Sequence, residues 1–242
     1  MKIAVSSDWH GNLPKKLNRK AIENCDALLL AGDVFPSVLH WEYGVIGPVE
    51  NYLKSLSDGG VSVYLTPGNH DFHLYNGWVE DHPEHEVPRG RISDLSNLPP
   101  YGPDILKEIC GASLLIDEEV DLNGIRAYFT PWTPDFCGWA FMLPEDRLRS
   151  VYGKIPDGVD ILVSHGPPRF GTIDTIRESG VPCGSQAFLD SILEKRPKQV
   201  FCGHIHTGNH EETLIGESRC FNVSLLDEYY EVRYPVKVIE WA

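Results

Sequence analysis

The stretch Lys2-Ile3-Ala4-Val5-Ser6-Ser7-Asp8-Trp9-His10-Gly11-Asn12 decides how the whole chain is read. Its first half is a short apolar run, the pattern of a buried strand. Its second half turns abruptly to a carboxylate and an imidazole one residue apart. The same junction recurs along the chain. Asp26-Ala27-Leu28-Leu29-Leu30-Ala31 runs into Gly32-Asp33, and Val61-Ser62-Val63-Tyr64-Leu65 runs into Thr66-Pro67-Gly68-Asn69-His70-Asp71. Val159-Asp160-Ile161-Leu162-Val163 leads into Ser164-His165-Gly166-Pro167-Pro168, and Gln199-Val200-Phe201-Cys202 into Gly203-His204-Ile205-His206. Each apolar strand thus ends on residue types that ligate metals. Ligands of α/β sheets sit at the carboxyl ends of strands, so such ends can converge on one crevice.

Between these strands the pattern predicts helices over Pro14 to Asn24, Tyr43 to Leu56, Pro144 to Val151 and Ser185 to Glu194. Pro14 stands where a missing N–H costs little, and Ser185 is a natural N-cap. Gly44, Gly47 and Pro48 weaken the first half of the second helix. Further strands are expected at Ser113 to Ile116, Glu119 to Leu122, Ile125 to Thr130, Glu212 to Ile215, Arg219 to Val223 and Val236 to Trp241. Asn123-Gly124 marks a hairpin between two of them. From Phe72 to about Pro103 periodicity disappears, which predicts an irregular insertion that lines or covers a site. The order of elements predicts one α/β domain of layered sheets over residues 1–242.

Composition narrows the functional classes. The 242 residues include 21 Lys and Arg against 35 Asp and Glu, a formal charge of −14. So acidic a chain repels phosphate backbones and is not expected to bind nucleic acid non-specifically. No apolar run approaches the roughly 20 residues of a membrane helix. The first residues lack a signal-peptide core and the last lack a lipidation motif, so a cytoplasmic protein is expected. The six cysteines are scattered without a CxxC pair and are read as reduced thiols.

Asp8, His10, Asp33, Asn69, His165, His204 and His206 make seven candidate ligands, too many for one ion. Imidazole, carboxylate and amide oxygen suit divalent Mn, Fe, Zn or Ni, and the lack of thiolates argues against a structural zinc site. Two divalent ions sharing a carboxylate would use the whole set. In two-metal hydrolases such ions lie about 3.5–4 Å apart and clamp the attacking and leaving oxygens.

The set Asp8-x-His10, Gly32-Asp33, Gly68-Asn69-His70-Asp71, His165 and Gly203-His204-x-His206 resembles the calcineurin-like metallophosphoesterase superfamily over residues 1–206. Ser164 to Pro168 and Pro131 to Phe141 further resemble its metallophosphodiesterase branch, related to mammalian MPPED proteins. The resemblance implies a four-layer α-β-β-α sandwich. It implies that Asp8, His10 and His206 hold one metal, that Asn69, His165 and His204 hold the other, and that Asp33 bridges them. It further implies a nucleophilic hydroxide between the metals, with His70 as the non-ligand histidine at the phosphate or leaving oxygen and Asp71 orienting it. The expected substrate is a small phosphodiester or a nucleotide, cyclic or not; the alternatives are a phosphomonoesterase (a protein or nucleotide phosphatase) or a metal-binding scaffold without activity. Gly32-Asp33 lacks the Asp-Arg-Gly continuation of the protein phosphatases, and Asn69-His70-Asp71 replaces their Asn-His-Glu.

Outside this set, Asn12 and Arg169 are candidate phosphate contacts. His40, His73, His82, His85 and His210 are read as solvated, and Asp227 to Glu231 as a solvated charge run. Trp132, Phe136, Trp139 and Phe141 are read first as core, with base stacking as the functional alternative. Cys183-Gly184-Ser185 is read as a helix start. The sequence leaves oligomeric state open.

Overall fold

A computed structural model describes residues 1–36, 46–79 and 103–241. Its first half runs β1 (Lys2–Ser6), α1 (Lys16–Glu23), β2 (Ala27–Ala31), α2 (Ile46–Asp58), β3 (Ser62–Thr66), α3 (Phe72–Val79), α4 (Pro103–Cys110) and β4 (Ala112–Leu114). The second half opens with β5 (Glu118–Asp121), β6 (Arg126–Thr130), β7 (Thr133–Pro134), β8 (Met142–Leu143), α5 (Glu145–Tyr152) and β9 (Ile161–Ser164). It closes with β10 (Thr175–Ile176), β11 (Val181–Pro182), α6 (Gln186–Lys195), β12 (Gln199–Cys202), β13 (Thr213–Ile215), β14 (Ser218–Asn222) and β15 (Lys237–Glu240).

Two large sheets result, one ordered β15-β1-β2-β3-β4 and the other β13-β14-β12-β9-β6-β5. Strands β1 to β4 are parallel, as are β6, β9, β12 and β14, while β15, β13 and β5 add antiparallel edges. Parallel strands flanked by crossover helices are buried on both faces, which is why they read as unbroken apolar runs. Period-two alternation assigns each residue its face. Ile3, Val5, Leu29, Phe129, Val163 and Phe201 meet in a cluster between the sheets. Ala4, Leu28 and Leu30 belong instead to the cluster holding Ile22 of α1 and Leu53 of α2, which also gathers Tyr128, Leu162 and Val200 with Leu148 of α5 and Phe188 of α6. The layers are therefore α-β-β-α.

Local chemistry accounts for the turns and ends. Asn123 (φ 55°) and Gly124 (φ 89°) are both left-handed, the requirement of a type I′ hairpin, and close β5 onto β6. Pro48 falls in the first turn of α2, where its missing N–H is no loss; the expected start of that helix at Tyr43 lies outside the described residues. Phe72 to Val79 forms α3, so the expected irregular insertion does not begin at Phe72. Its remainder, 80–102, lies outside the described residues. An isolated parallel bridge pairing Ser7 with Ser224 stitches the sheets at the carboxyl ends of β1 and β14, through Ser7 N to Val223 O (2.9 Å) and Leu225 N to Ser7 O (2.9 Å). Among the described residues no helix is long and apolar enough to cross a membrane.

Candidate active site

The carboxyl ends of β1, β2, β3, β9 and β12 deliver Asp8, Asp33, Asn69, His165 and His204 to one place, where the two sheets are stitched together. The chain turns sharply there. Asp8 (φ 53°), His10 (φ 43°), Asp33 (φ 52°) and His204 (φ 69°) all occupy the left-handed region, which is uncommon for residues other than glycine and clusters at functional sites. Asp8 N to Gly32 O (3.0 Å) and His10 N to Asp33 O (2.9 Å) lock the first two loops together. The glycines preceding these residues are steric necessities. A Cβ on Gly32 would lie 2.5 Å from His165 Nδ1, and one on Gly203 would overlap the Ser7 hydroxyl and the Asp8 carboxylate.

The potential ligand atoms fall into overlapping groups, each with all its atoms within 4.8 Å: Asp8, His10 and His206; Asp33, His165 and His204; His10, Asp33 and His70. Asp33 Oδ2 lies 3.6 Å from His10 Nε2 and 3.3 Å from His165 Nε2, so one carboxylate stands between two histidine groups. His206 Nε2 is 3.4 Å from Asp8 Oδ1. Asp8 Oδ2 accepts from Ser7 Oγ (2.5 Å), Ser224 Oγ (2.7 Å) and the His204 amide (3.0 Å).

Electrostatics sort the rings by protonation. Burial lowers His10 to about 4 and His204 to about 3, leaving neutral imidazoles at pH 7. Burial also opposes charge on His165, but the Asp33 carboxylate outweighs it and raises the ring to about 9. His206 is raised because its bond to Asp8 overcomes burial. Asp33 is held well below the usual carboxylate range, because the charges of His165 and His70 outweigh its burial.

Two observations test whether metal ions fit. His10 is buried, yet among the described residues neither of its ring nitrogens has a hydrogen-bond partner. A buried unpaired polar group costs about 1–3 kcal/mol. His165 Nδ1 faces the Ala31 carbonyl at 2.9 Å and must donate to it, so in the neutral ring Nε2 turns a lone pair toward Asn69 Oδ1 at 2.8 Å. In the metal-free ring the Nε2 proton joins these two atoms, and a cation that replaced it would meet both as donors. His206 is oriented likewise, its Nδ1 donating to the Asp227 carbonyl (3.0 Å) and its Nε2 facing inward. Nitrogen and oxygen donors of this kind suit divalent first-row metals.

A cavity of about 660 Å³ opens over the cluster. His10, Asp33, Asn69 and His70 line its inner end, with Phe136, Trp139, Arg169, Ile176, Pro182 and Tyr230 among its walls. The His70 amide donates to Asp33 Oδ1 (2.8 Å), and its ring stands edge-on to His10 (4.8 Å) and Trp139 (4.4 Å). Burial lowers the His70 pKa, the largest influence on it.

Several expectations need correction. Asp71 is not directed at His70: its Oδ2 accepts the amides of Asp33 (2.9 Å) and Gly68 (2.8 Å), and its Oδ1 that of Phe35 (3.4 Å). Burial, then the Asp33 charge, pushes Asp71 up to about 7, and the amides pull the other way. Asn12 is exposed and turns its amide back to the His10 carbonyl (3.5 Å), outside the cavity, whereas Arg169 does line it. His73 is buried against Phe35 (ring centroids 5.0 Å) rather than solvated. His210 is half-buried, stacked on Tyr234 (3.5 Å), with its Nε2 donating to the His206 carbonyl (2.9 Å). His40, His82 and His85 lie outside the described residues. The aromatic group divides: Trp132 and Phe141 are core, while Phe136 and Trp139 face the cavity. Ser185 caps α6 by accepting from the Phe188 amide (3.1 Å), and Glu145 Oε1 occupies the Ala187 amide (2.5 Å), so that helix start is already satisfied. The charge run hid Tyr230, whose ring packs on His10 (4.9 Å) and His206 (5.2 Å). Its only sequence signal was an aromatic pair inside a polar stretch.

Comparison with known proteins agrees with this geometry. The family model described as calcineurin-like phosphoesterase matches residues 1–208. Human metallophosphoesterase domain-containing protein 1 is 35% identical over 128 residues, covering 52% of this chain and 39% of that protein. The Caenorhabditis elegans UPF0046 protein T07D4.2 is 29% identical over 216 residues, covering 86% of this chain and 52% of that protein. The chain thus matches about half or less of the length of these curated relatives. Among solved structures, a dimetal phosphatase from Danio rerio superposes with a TM-score of 0.52 at 11% identity, covering 94% of this chain and 87% of that one. With the sandwich, the strand-end ligand cluster and the matched family model together, the chain belongs to the calcineurin-like phosphoesterase family.

Proposed function

We propose that this chain is a dimetal phosphodiesterase that hydrolyses a small phosphodiester, cyclic nucleotides included. The observation that carries the reading is the cavity wall. Phe136, Trp139, Ile176, Pro182 and Tyr230 give an apolar and aromatic lining directly beside the ligand cluster. A diester presents two organic substituents and one negative charge, so it matches an apolar wall better than a dianionic monoester does. The overall charge of −14 also disfavours the more highly charged ester.

Asp8, His10 and His206 would hold one divalent ion, Asn69, His165 and His204 the other, and Asp33 both. When bound, such ions polarise a phosphoryl oxygen and bring the pKa of water from about 15.7 toward 7. The chain's own residues do the rest. The Ala31 and Asp227 carbonyls fix the tautomers of His165 and His206, so that Nε2 of each faces inward. His70 lines the cavity beside His10 and Asp33, and as a non-ligand it protonates the leaving ester oxygen or donates a hydrogen bond to the phosphate. Trp139 and His10 hold that ring between their edges.

The test compares bis(p-nitrophenyl) phosphate with p-nitrophenyl phosphate in Mn²⁺, then in excess chelator. Faster diester turnover that the chelator abolishes is expected. Turnover of the monoester alone would replace the reading by a phosphatase, with Arg169 as its second-charge partner. No turnover of either ester with metals bound would leave a scaffold.

A further inference from the structure

Tyr230 occupies a backbone position that is strained for an aromatic residue. Its φ is 61°, a region that an aromatic residue enters only when its surroundings force it there. A purpose-built turn does the forcing. Asp227 Oδ1 accepts the amides of Tyr229 (3.0 Å) and Glu231 (3.1 Å), the Tyr230 amide donates to the Asp227 carbonyl (3.0 Å), and the Asp227 amide donates to the Glu231 carbonyl (3.0 Å). An antiparallel bridge between Leu226 and Val232 closes the turn. The carbonyl that receives the Tyr230 amide also orients His206. Turn and ligand cluster are therefore one unit.

The turn sets the Tyr230 ring against two histidines of the cluster, at 63° to His10 and 66° to His206. His70 packs on the same His10 ring, and both Tyr230 and His70 line the cavity. Tyr230 remains 49% exposed, too open to serve as a core residue. Among the described residues its hydroxyl has no hydrogen-bond partner. A phenol is a donor at neutral pH. We propose that Tyr230 is a substrate-contacting residue, which donates its hydroxyl to a phosphoryl oxygen of an ester held over His10 and His206. The contact deepens the phosphoesterase reading and rests on it, since the phosphate must lie at this cluster.

Two variants and two readouts test it. Tyr230→Phe removes only the hydroxyl. A hydrogen bond to a charged group corresponds to about a 10- to 100-fold effect. Tyr230→Phe is therefore expected to lower both kcat/KM for bis(p-nitrophenyl) phosphate and the affinity of the Mn²⁺-loaded protein for inorganic phosphate by that factor, with metal content unchanged. Tyr230→Gly removes the ring and suits the left-handed backbone. It is expected to weaken phosphate binding at least as much while the melting temperature holds or rises, whereas a purely structural Tyr230 would lower it. Phosphate affinity unaltered in Tyr230→Phe, or lost only together with melting temperature and metal, overturns the proposal. Calorimetric phosphate titration needs no turnover, so an inactive wild-type protein would refute the phosphoesterase reading while the titration still judges Tyr230.

Discussion

Asp71 separates two designs for this site, and two substitutions tell them apart. Its carboxylate is bound to three backbone amides of the loops that carry Asp33 and Asn69, at 2.8, 2.9 and 3.4 Å. Asp71→Ala strands all three donors in a buried setting. At about 1–1.5 kcal/mol per orphaned amide, the loss is about 3–5 kcal/mol, a large part of the roughly 5–15 kcal/mol that stabilises a domain. At about 2–4 °C per kcal/mol for a chain of this size, the melting temperature falls on the order of 10 °C. Metal affinity should fall with it, because the anchored amides include that of Asp33. Asp71→Asn keeps one carbonyl oxygen, able to retain both short bonds while its NH₂ turns to Phe35. The mispairing there costs about 1–2 kcal/mol, partly offset by removal of a buried charge beside Asp33. Asp71→Asn should therefore melt only a few degrees lower and keep its metals and most of its turnover. A carboxylate that set the tautomer of a catalytic histidine would behave otherwise, since its amide replacement costs on the order of 10⁴ in kcat with the fold intact. Melting curves, elemental analysis and steady-state rates on the same preparations decide the matter. An Asp71→Asn protein with normal melting and metal content but a kcat reduced 100-fold or more would refute the anchoring role.

Further outcomes are expected. His70→Ala should keep two metal equivalents while kcat falls about 10²- to 10⁴-fold, and loss of an equivalent by elemental analysis would make His70 a ligand. Asp33→Asn should weaken both ions together in a metal titration, because its carboxylate lies between the His10 and His165 groups; a single affected site would end the bridging assignment. Metal affinity should rise with pH. In the metal-free protein His165 titrates at about 9 against 6.5 unfolded, so its stabilising contribution is complete below pH 6.5 and vanishes as pH rises through about 9. A metal needs the same lone pair, so proton competition weakens binding about 50-fold at pH 7 relative to pH 9. Equal affinities at those two pH values would contradict the sign.

Much of the site was legible because the chemistry sits where burial ends. A parallel strand covered on both faces must be apolar throughout, so Val5, Ala31, Leu65, Val163 and Cys202 mark strand ends even in a linear reading. The polar residues that follow stand out for the same reason. The hairpin at Asn123-Gly124 was legible because only such a pair tolerates two positive φ angles. Less was legible where side-chain direction decides. Asp71 adjoins His70 in sequence yet points to the Asp33 loop. His73, in a stretch with no period, is driven under Phe35. Trp132 and Phe141 are buried while Phe136 and Trp139, equally aromatic and a few residues away, line a cavity.

The amino-acid sequence by itself determined the layered α/β class, the strand ends and the seven ligand candidates, since these follow from local patterns of burial and residue type. Only the tertiary structure decided what those residues do to one another. It set β15 beside β1, across nearly the full length of the chain, and joined Ser7 to Ser224. It gave the Asp8 carboxylate a hydroxyl 216 residues away, and it turned Tyr230 out of an acidic run onto His10 and His206. Contacts of that range depend on how two sheets pack and where each loop then has room to turn, and no local period records them.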